Sequence, residues 1–132
     1  MNKQAIIDSI NETLSHDPSA KRACLYVYDY LQNCKTDHLK HITINDLRNA
    51  SCADDVVLFK VINYLTGQSL PLLSIGYEYI VGNEIHLLDE EEVDSILKDD
   101  VLYFDGYPVK NWKENTFIFF YANKELEGYQ ND

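Results

Sequence analysis

Residues 43–88 read TINDLRNASCADDVVLFKVINYLTGQSLPLLSIGYEYIVGNEIHLL, and their own punctuation divides them into two short helices and a hairpin. Thr43, with Asp46 three residues on, has the form of a capping box, in which side chain and backbone satisfy each other's open hydrogen-bond positions at a helix start. Ile44, Leu47 and Ala50 then put apolar groups on one face. Ser51 with Asp54 repeats the start signal. The first helix is therefore expected to stop there and a second to run from about Ala53 to Thr66, with Val57, Leu58, Val61 and Leu65 turned inward and Gly67 as the stop. Leu70 to Ile80 and Ile85 to Leu88 are two apolar runs around Val81-Gly82-Asn83-Glu84, whose Gly-Asn centre suits a hairpin turn.

Outward from this stretch the same signals recur. Ile6, Ile7, Ile10 and Leu14 share one face of a helix over about residues 3–15. Asp17 ahead of Pro18 is a cap followed by proline at the first helical position, and Ala20, Ala23, Cys24, Val27, Tyr30 and Leu31 give the inward stripe of a helix reaching Asn33. Over residues 20–90 the order is helix, helix, helix, hairpin. That order resembles the winged helix-turn-helix superfamily, and the resemblance implies an α+β fold in which the hairpin is the wing. In a DNA-binding member, the helix at 53–66 would lie in the major groove.

Beyond the hairpin, Asp89 is a cap ahead of Glu90, Glu91 and Glu92, whose charges suit the positive end of a helix dipole. Val93, Ile96 and Leu97 are expected to form that helix's buried face. Val101 to Phe104, an Asp105-Gly106 turn, Tyr107 to Val109, Trp112 and Thr116 to Tyr121 close the chain as short strands. Phe117 to Phe120 are apolar on both faces, so one of Phe119 and Phe120 should look away from the main core, toward a partner. The expected architecture is winged-helix-like: helices first, then a wing hairpin, an acidic helix and C-terminal strands. It forms one domain over residues 1–132, with a tail at 125–132 that frays.

At 132 residues, 45% hydrophobic and 25% charged, the composition is that of an ordinary globular domain. No apolar run approaches the roughly 20 residues of a membrane span, and the first residues lead into an amphipathic pattern. A cytoplasmic protein without membrane contact is expected. Cys24, Cys34 and Cys52 have neither disulfide nor zinc spacing. Cys34, His38 and His41 lack a fourth nearby ligand, so no metal and no cofactor is expected. Phosphate-loop, HExxH and GxSxG patterns are absent, and the adjacent carboxylates Asp54-Asp55 and Asp99-Asp100 diverge, so no catalytic residue is assigned and the protein is expected not to be an enzyme.

Charge separates the function classes. Up to Thr66 there are 7 basic and 8 acidic residues, and from Gly67 on 4 basic and 14 acidic, so the halves contribute −1 and −10 to the net −11. Such a second half repels phosphate backbones. The helix at 53–66 offers only Lys60 as a cation, behind Asp54 and Asp55, which leaves direct nucleic-acid binding as an alternative, that of a transcriptional regulator reading DNA through Lys60. The main expectation is a non-catalytic interaction module, an adaptor or accessory subunit of a larger bacterial complex such as a defence system by analogy, meeting a basic protein partner through Glu90, Glu91, Glu92, Trp112, Phe119 and Phe120. A further alternative is an acidic inhibitor: an immunity protein, an antitoxin or a nucleic-acid mimic.

Overall fold

In the computed structural model, which describes residues 2–124 and 126, the helix starts fall where short polar side chains can accept from a free amide. Asn2 caps α1 (Lys3–Thr13) through the Ala5 amide at 2.8 Å. Asp17 caps α2 (Pro18–Asn33), whose leading proline has no amide to leave unpaired. Thr43 and Asp46 make the reciprocal capping box of α3 (Ile44–Ser51). Asp54 opens α4 (Asp55–Thr66) by accepting from the Val57 amide at 2.9 Å.

Ser51 does not start a helix. It is the buried last residue of α3, its hydroxyl donating to the Arg48 carbonyl at 3.0 Å and accepting from the Ala53 amide at 3.3 Å. Cys52 follows in left-handed backbone at φ 53°, which breaks the helix. The hydroxyl closes one helix and the Asp54 carboxylate opens the next, so α4 begins two residues beyond the expected Ala53.

The chain then forms β1 (Leu73–Val81), β2 (Glu84–Leu87), α5 (Glu90–Asp99), β3 (Tyr103–Phe104), β4 (Tyr107–Pro108), α6 (Trp112–Asn115) and β5 (Thr116–Ala122). This is an α+β fold, α1 to α4 first and then a small antiparallel sheet of strand order β2-β1-β5, with α5 and α6 falling between its strands in sequence and β3 and β4 as a separate pair. β1 starts at Leu73 and not Leu70. Pro71 has no amide for a ladder, and Leu70 and Leu72 are buried in the core instead. No helix among the described residues is long and apolar enough to cross a membrane. Of the tail at 125–132 only Leu126 lies within the described residues, and it is buried; the rest lies outside them.

Two compact units divide the chain: Met1–Ile75 with Phe120–Asp132, and Gly76–Phe119. In the first, α2 packs against α1, α3 and α4, and Ile6, Ile10, Val27, Leu31, Leu58 and Leu65 meet in one continuous core. Phe120 belongs to that core, brought there by an antiparallel exchange with Ile42 in which each amide bonds the other's carbonyl, at 2.7 and 2.8 Å. Asn123 finishes the closure. Its amide donates to the Leu72 carbonyl at 2.9 Å, and its side chain donates to the Pro71 carbonyl at 3.0 Å and accepts from the Ser74 hydroxyl.

The second unit is thinly packed. Of its residues only Glu78, Leu102 and Phe119 are buried. The face expected to anchor α5 is not buried: Val93 and Ile96 are half-covered and Leu97 stands 71% exposed. Phe120 enters the main core and Phe119, on the opposite strand face, lies outside it as expected, but Phe119 is buried within its own unit and not left for a partner. The cause is Gly76, which leaves a slot that the Phe119 ring fills; a Cβ there would stand 2.4 Å from Phe119 Cζ.

That slot generates a paired stability test. Gly76→Ala should destabilise by about 1–3 kcal/mol through overpacking, and the penalty should vanish in a Phe119→Ala background, where no ring fills the slot. Additive urea-melt losses would mean that ring and glycine do not bear on each other. Phe120→Ala should cost about 3–5 kcal/mol through the cavity it leaves.

Candidate functional site

Exposed chemistry gathers in the second unit, around the end of the β1–β2 hairpin. Gly82 turns the chain at φ 61°, the positive value that a two-residue hairpin loop with glycine first requires. The ladder that follows pairs Ile80 with Ile85, Tyr79 with His86 and Glu78 with Leu87. His86 therefore shares a face with Tyr79, and the Phe104 ring lies edge-on to both, 5.2 Å from Tyr79 and 4.7 Å from His86.

The start of α5 is tied to the same histidine. Asp89 accepts from the Glu92 amide at 2.8 Å while Glu92 accepts from the Asp89 amide at 2.9 Å, a capping box of the kind found at α3. Both Glu92 oxygens also lie 3.0 Å from His86 Nε2. A single carboxylate thus fixes a helix start to a strand. At the other end Asp100 takes left-handed backbone at φ 59°, and its carboxylate accepts from Lys113 at 2.9 Å. Between these elements opens a cleft of about 560 Å³ lined by His86, Asp89, Glu91, Glu92, Phe104 and Asp105, among others. With 11 acidic and 3 basic residues, the unit from Gly76 to Phe119 carries a net −8.

The residues singled out in the sequence are not brought to one place. Glu90 and Glu91 stand exposed at the first turn of α5, whereas the Glu92 side chain is only 14% exposed and is already bonded, which makes it a structural group. Trp112 is half-buried at the start of α6, its carbonyl accepting from the Thr116 hydroxyl at 2.6 Å, with the Lys113 ammonium 5.6 Å from its ring. Phe119 and Phe120 are inside. Their neighbours Phe117, Ile118 and Tyr121 hold the exposed positions of β5. Lys60 belongs to the first unit and donates to Asp17 at 3.1 Å; that hydrogen bond, with the bond from the Ala20 amide, holds the Asp17 carboxyl below its usual range.

Spacing in the sequence gives His86 no role as a metal ligand and none at this site. Its period-2 placement toward Phe104 and its reach to Glu92 depend on a register and a helix direction that spacing alone does not give. Nor does spacing single out Ile85 and Leu87, because an apolar strand residue reads as core until its sheet position is known.

A second polar cluster lies in the first unit. His38 Nε2 is 2.9 Å from the Tyr30 hydroxyl and 3.3 Å from Asp46 Oδ2, and Cys34 shares a hydrogen bond with Tyr30. Burial pushes both the Cys34 thiol and the Tyr30 phenol up, the wrong direction for a nucleophile or base at neutral pH. Partial burial opposes ionisation of Asp46, but bonds from the Thr43 amide, the Thr43 hydroxyl and His38 outweigh it and hold its carboxyl below the usual range. Among the described residues no three His, Cys, Asp or Glu side chains converge as metal ligands would.

No family model, curated protein or solved structure matches the chain.

Two tests follow from these contacts. Glu92→Ala should cost about 0.5–2 kcal/mol in urea melts, the range for a lost helix cap, while Glu90→Gln and Glu91→Gln should each stay within about 0.3–1 kcal/mol, the size of an exposed helix-dipole charge. Equal losses at all three positions would show that the capping box has no special weight. Asp46, depressed in the folded chain, stabilises above its unfolded value of about 3.8 and loses that contribution as pH falls through the folded value. The stability gap between the protein and its Asp46→Asn variant should therefore be full at pH 6 and shrink below pH 3.8; a gap that is flat with pH contradicts it.

Proposed function

We propose that the protein is a non-catalytic, winged-helix-like interaction module, an adaptor or accessory subunit that meets a basic protein partner through the unit from Gly76 to Phe119. One observation carries the reading: Ile85, Leu87, Leu97 and Tyr107 all stand more than 60% exposed in a unit of net charge −8. Large apolar groups left in water, in a unit whose charge is predominantly of one sign, suit covering by a partner of the opposite sign. Glu91 lines the acidic cleft and Glu90 stands exposed beside it on the first turn of α5. Trp112, half-covered, stands beside it in sequence only.

The DNA-reading alternative draws less support. The ammonium of Lys60 is already engaged by Asp17, Asp54 is spent on capping α4, and Asp55 accepts from Arg48 at 3.0 Å, so the first turn of α4 offers carboxylates where bases would need donors. An acidic inhibitor would use the same carboxylates against a nucleic-acid-binding protein, and differs from the adaptor reading in the partner's identity.

Capture from the native host followed by mass spectrometry should return a basic protein, and its stopped-flow association should slow several-fold at low salt for the Glu90→Gln, Glu91→Gln double variant, with less effect at high salt. An unchanged rate at both salts removes the electrostatic role. Fluorescence anisotropy with duplex DNA at physiological salt should show no binding; submicromolar, salt-dependent binding that Lys60→Ala weakens would replace this reading with the DNA-binding one.

A further inference from the structure

The outer edge of β2 says what kind of segment such a partner presents, an inference that rests on the interaction reading and narrows it. In an antiparallel ladder, opposed residues alternate between pairs that exchange both backbone hydrogen bonds and pairs that exchange none. The two-residue Gly82-Asn83 loop makes Val81 and Glu84 the closing bonded pair. At the other end the Leu88 amide bonds the Tyr77 carbonyl at 3.0 Å, which keeps the same alternation. Ile80–Ile85 and Glu78–Leu87 are then the non-bonded pairs. Ile85 and Leu87 consequently turn their amides and carbonyls away from β1, and β2 is the last strand of its sheet.

Two donors and two acceptors thus face outward with the spacing of a strand. Natural edges are blunted by shortness, charge, proline, lysine or a bulge; β2 is short and carries Glu84, but it has no proline, lysine or bulge that would stop a strand from pairing with Ile85 and Leu87. All four residues of β2 are exposed, Ile85 at 63% and Leu87 at 62%. The two faces of an added strand would meet different chemistry. One lies beside Ile85 and Leu87; the other lies beside Glu84 and His86, where the cleft displays Asp89, Glu91 and Asp105.

Charge selects the occupant. A second copy of the chain would bring −11 against a unit of −8, and a nucleic acid would bring phosphates. We propose that β2 accepts an added strand from a basic protein: an extended segment in which apolar residues alternate with lysine or arginine. Its backbone pairs with Ile85 and Leu87, its apolar side chains cover those two residues, and its cations lie over the acidic cleft.

The test uses the full chain and a fluorescein-labelled, amidated peptide Lys-Val-Lys-Ile-Lys-Val, read by anisotropy. Saturable binding is expected, weakened at least tenfold when salt rises from low to several hundred millimolar and lost when glutamate replaces the peptide's lysines. N-methylation of one alternate set of peptide amides should weaken binding about tenfold or more and methylation of the other set should not, because only one set can point at β2. Ile85→Pro removes an outward amide at a position where an edge strand tolerates proline; it should abolish binding with the far-ultraviolet spectrum unchanged, while Ile85→Val binds as the native chain does.

Equal loss from both methylated sets, native affinity in Ile85→Pro, or no binding of the lysine peptide would overturn the strand addition. So would a dimer in sedimentation that Ile85→Pro dissolves, since the occupant would then be a second copy. A partner captured equally well by the native chain and by Ile85→Pro would sink the β2 edge and leave the interaction module standing. Peptide binding with every control as expected, but no basic partner from the host, would sink the module and show the edge to be only chemically competent.

Discussion

The exchange between Ile42 and Phe120 is the contact on which the chain's organisation turns. It is two backbone hydrogen bonds, each of ordinary strength, yet it joins the segment before α3 to the end of β5 and delivers the Phe120 ring to the helical core. Closing so long a loop costs little more than closing one of half the length, because the entropy grows only with the logarithm of loop size. Burial of Phe120 and Ala122 against the helices offsets it. Asn123 then satisfies carbonyls at Pro71 and Leu72 that would otherwise lie unpaired beside buried leucines. With those ends held, everything from Gly76 to Phe119 is an excursion out of β1 and back into β5, free to be built by other means.

Those other means are polar and local. The first unit gathers a continuous core from four helices, whereas the second buries Leu102, Phe119 and the carboxylate-bearing Glu78 and little else. A unit of that size with so few buried side chains draws limited stabilisation from the hydrophobic effect. It is fixed instead by the Asp89–Glu92 capping box, the Glu92–His86 contact, the Lys113–Asp100 pair and the aromatic edges around Phe104. Each is worth a kcal/mol or so at best. Both units leave some large apolar groups in water, Val56 and Phe59 in the first, but more of those over 60% exposed, Ile85, Leu87, Leu97 and Tyr107, lie in the second, which is the ground of the proposed interaction.

Local chemistry in the sequence was a good guide to starts and turns, because a cap or a turn is decided by residues three or four apart. Asp17-Pro18, Thr43 with Asp46, Asp89 and Gly82-Asn83 all act where their spacing places them. Ser51 misled for an equally local reason: serine closes a helix by donating to a carbonyl as readily as it opens one by accepting from an amide, and only the left-handed Cys52 beside it shows which. Apolar runs were less legible, since inwardness depends on what stands opposite. Phe119 is buried because a glycine on another strand makes room for it, and Leu97 is exposed although it sits at helical spacing from Val93. Of the candidate site, Glu90 and Glu91 were legible as surface charge. Glu92 was not legible as a cap bonded to His86, and the outward backbone of Ile85 and Leu87 required the register.

Resemblance of element order to a DNA-binding scaffold carries no function by itself, and the polar groups of α3 and α4 show why. A helix that reads a groove needs donors standing free on its first turns, aimed at base edges. Here the first turn of α4 uses Asp54 to hold its own amide and Asp55 to hold Arg48, so the one arginine in the motif is turned to a carboxylate of the same chain. Lys60, further along, is held by Asp17 from α2's cap. Breaking either pair to reach a phosphate would leave a carboxylate uncompensated beside the phosphate's own charge. The second unit differs: although Asp89, Glu92 and Asp100 are engaged within it, Glu90 and Glu91 are unspent, Ile85 and Leu87 are uncovered, and the backbone of β2 has an open edge. On the proposed reading, a partner gains most by bringing cations, apolar side chains and a strand together, and gains least by bringing phosphates.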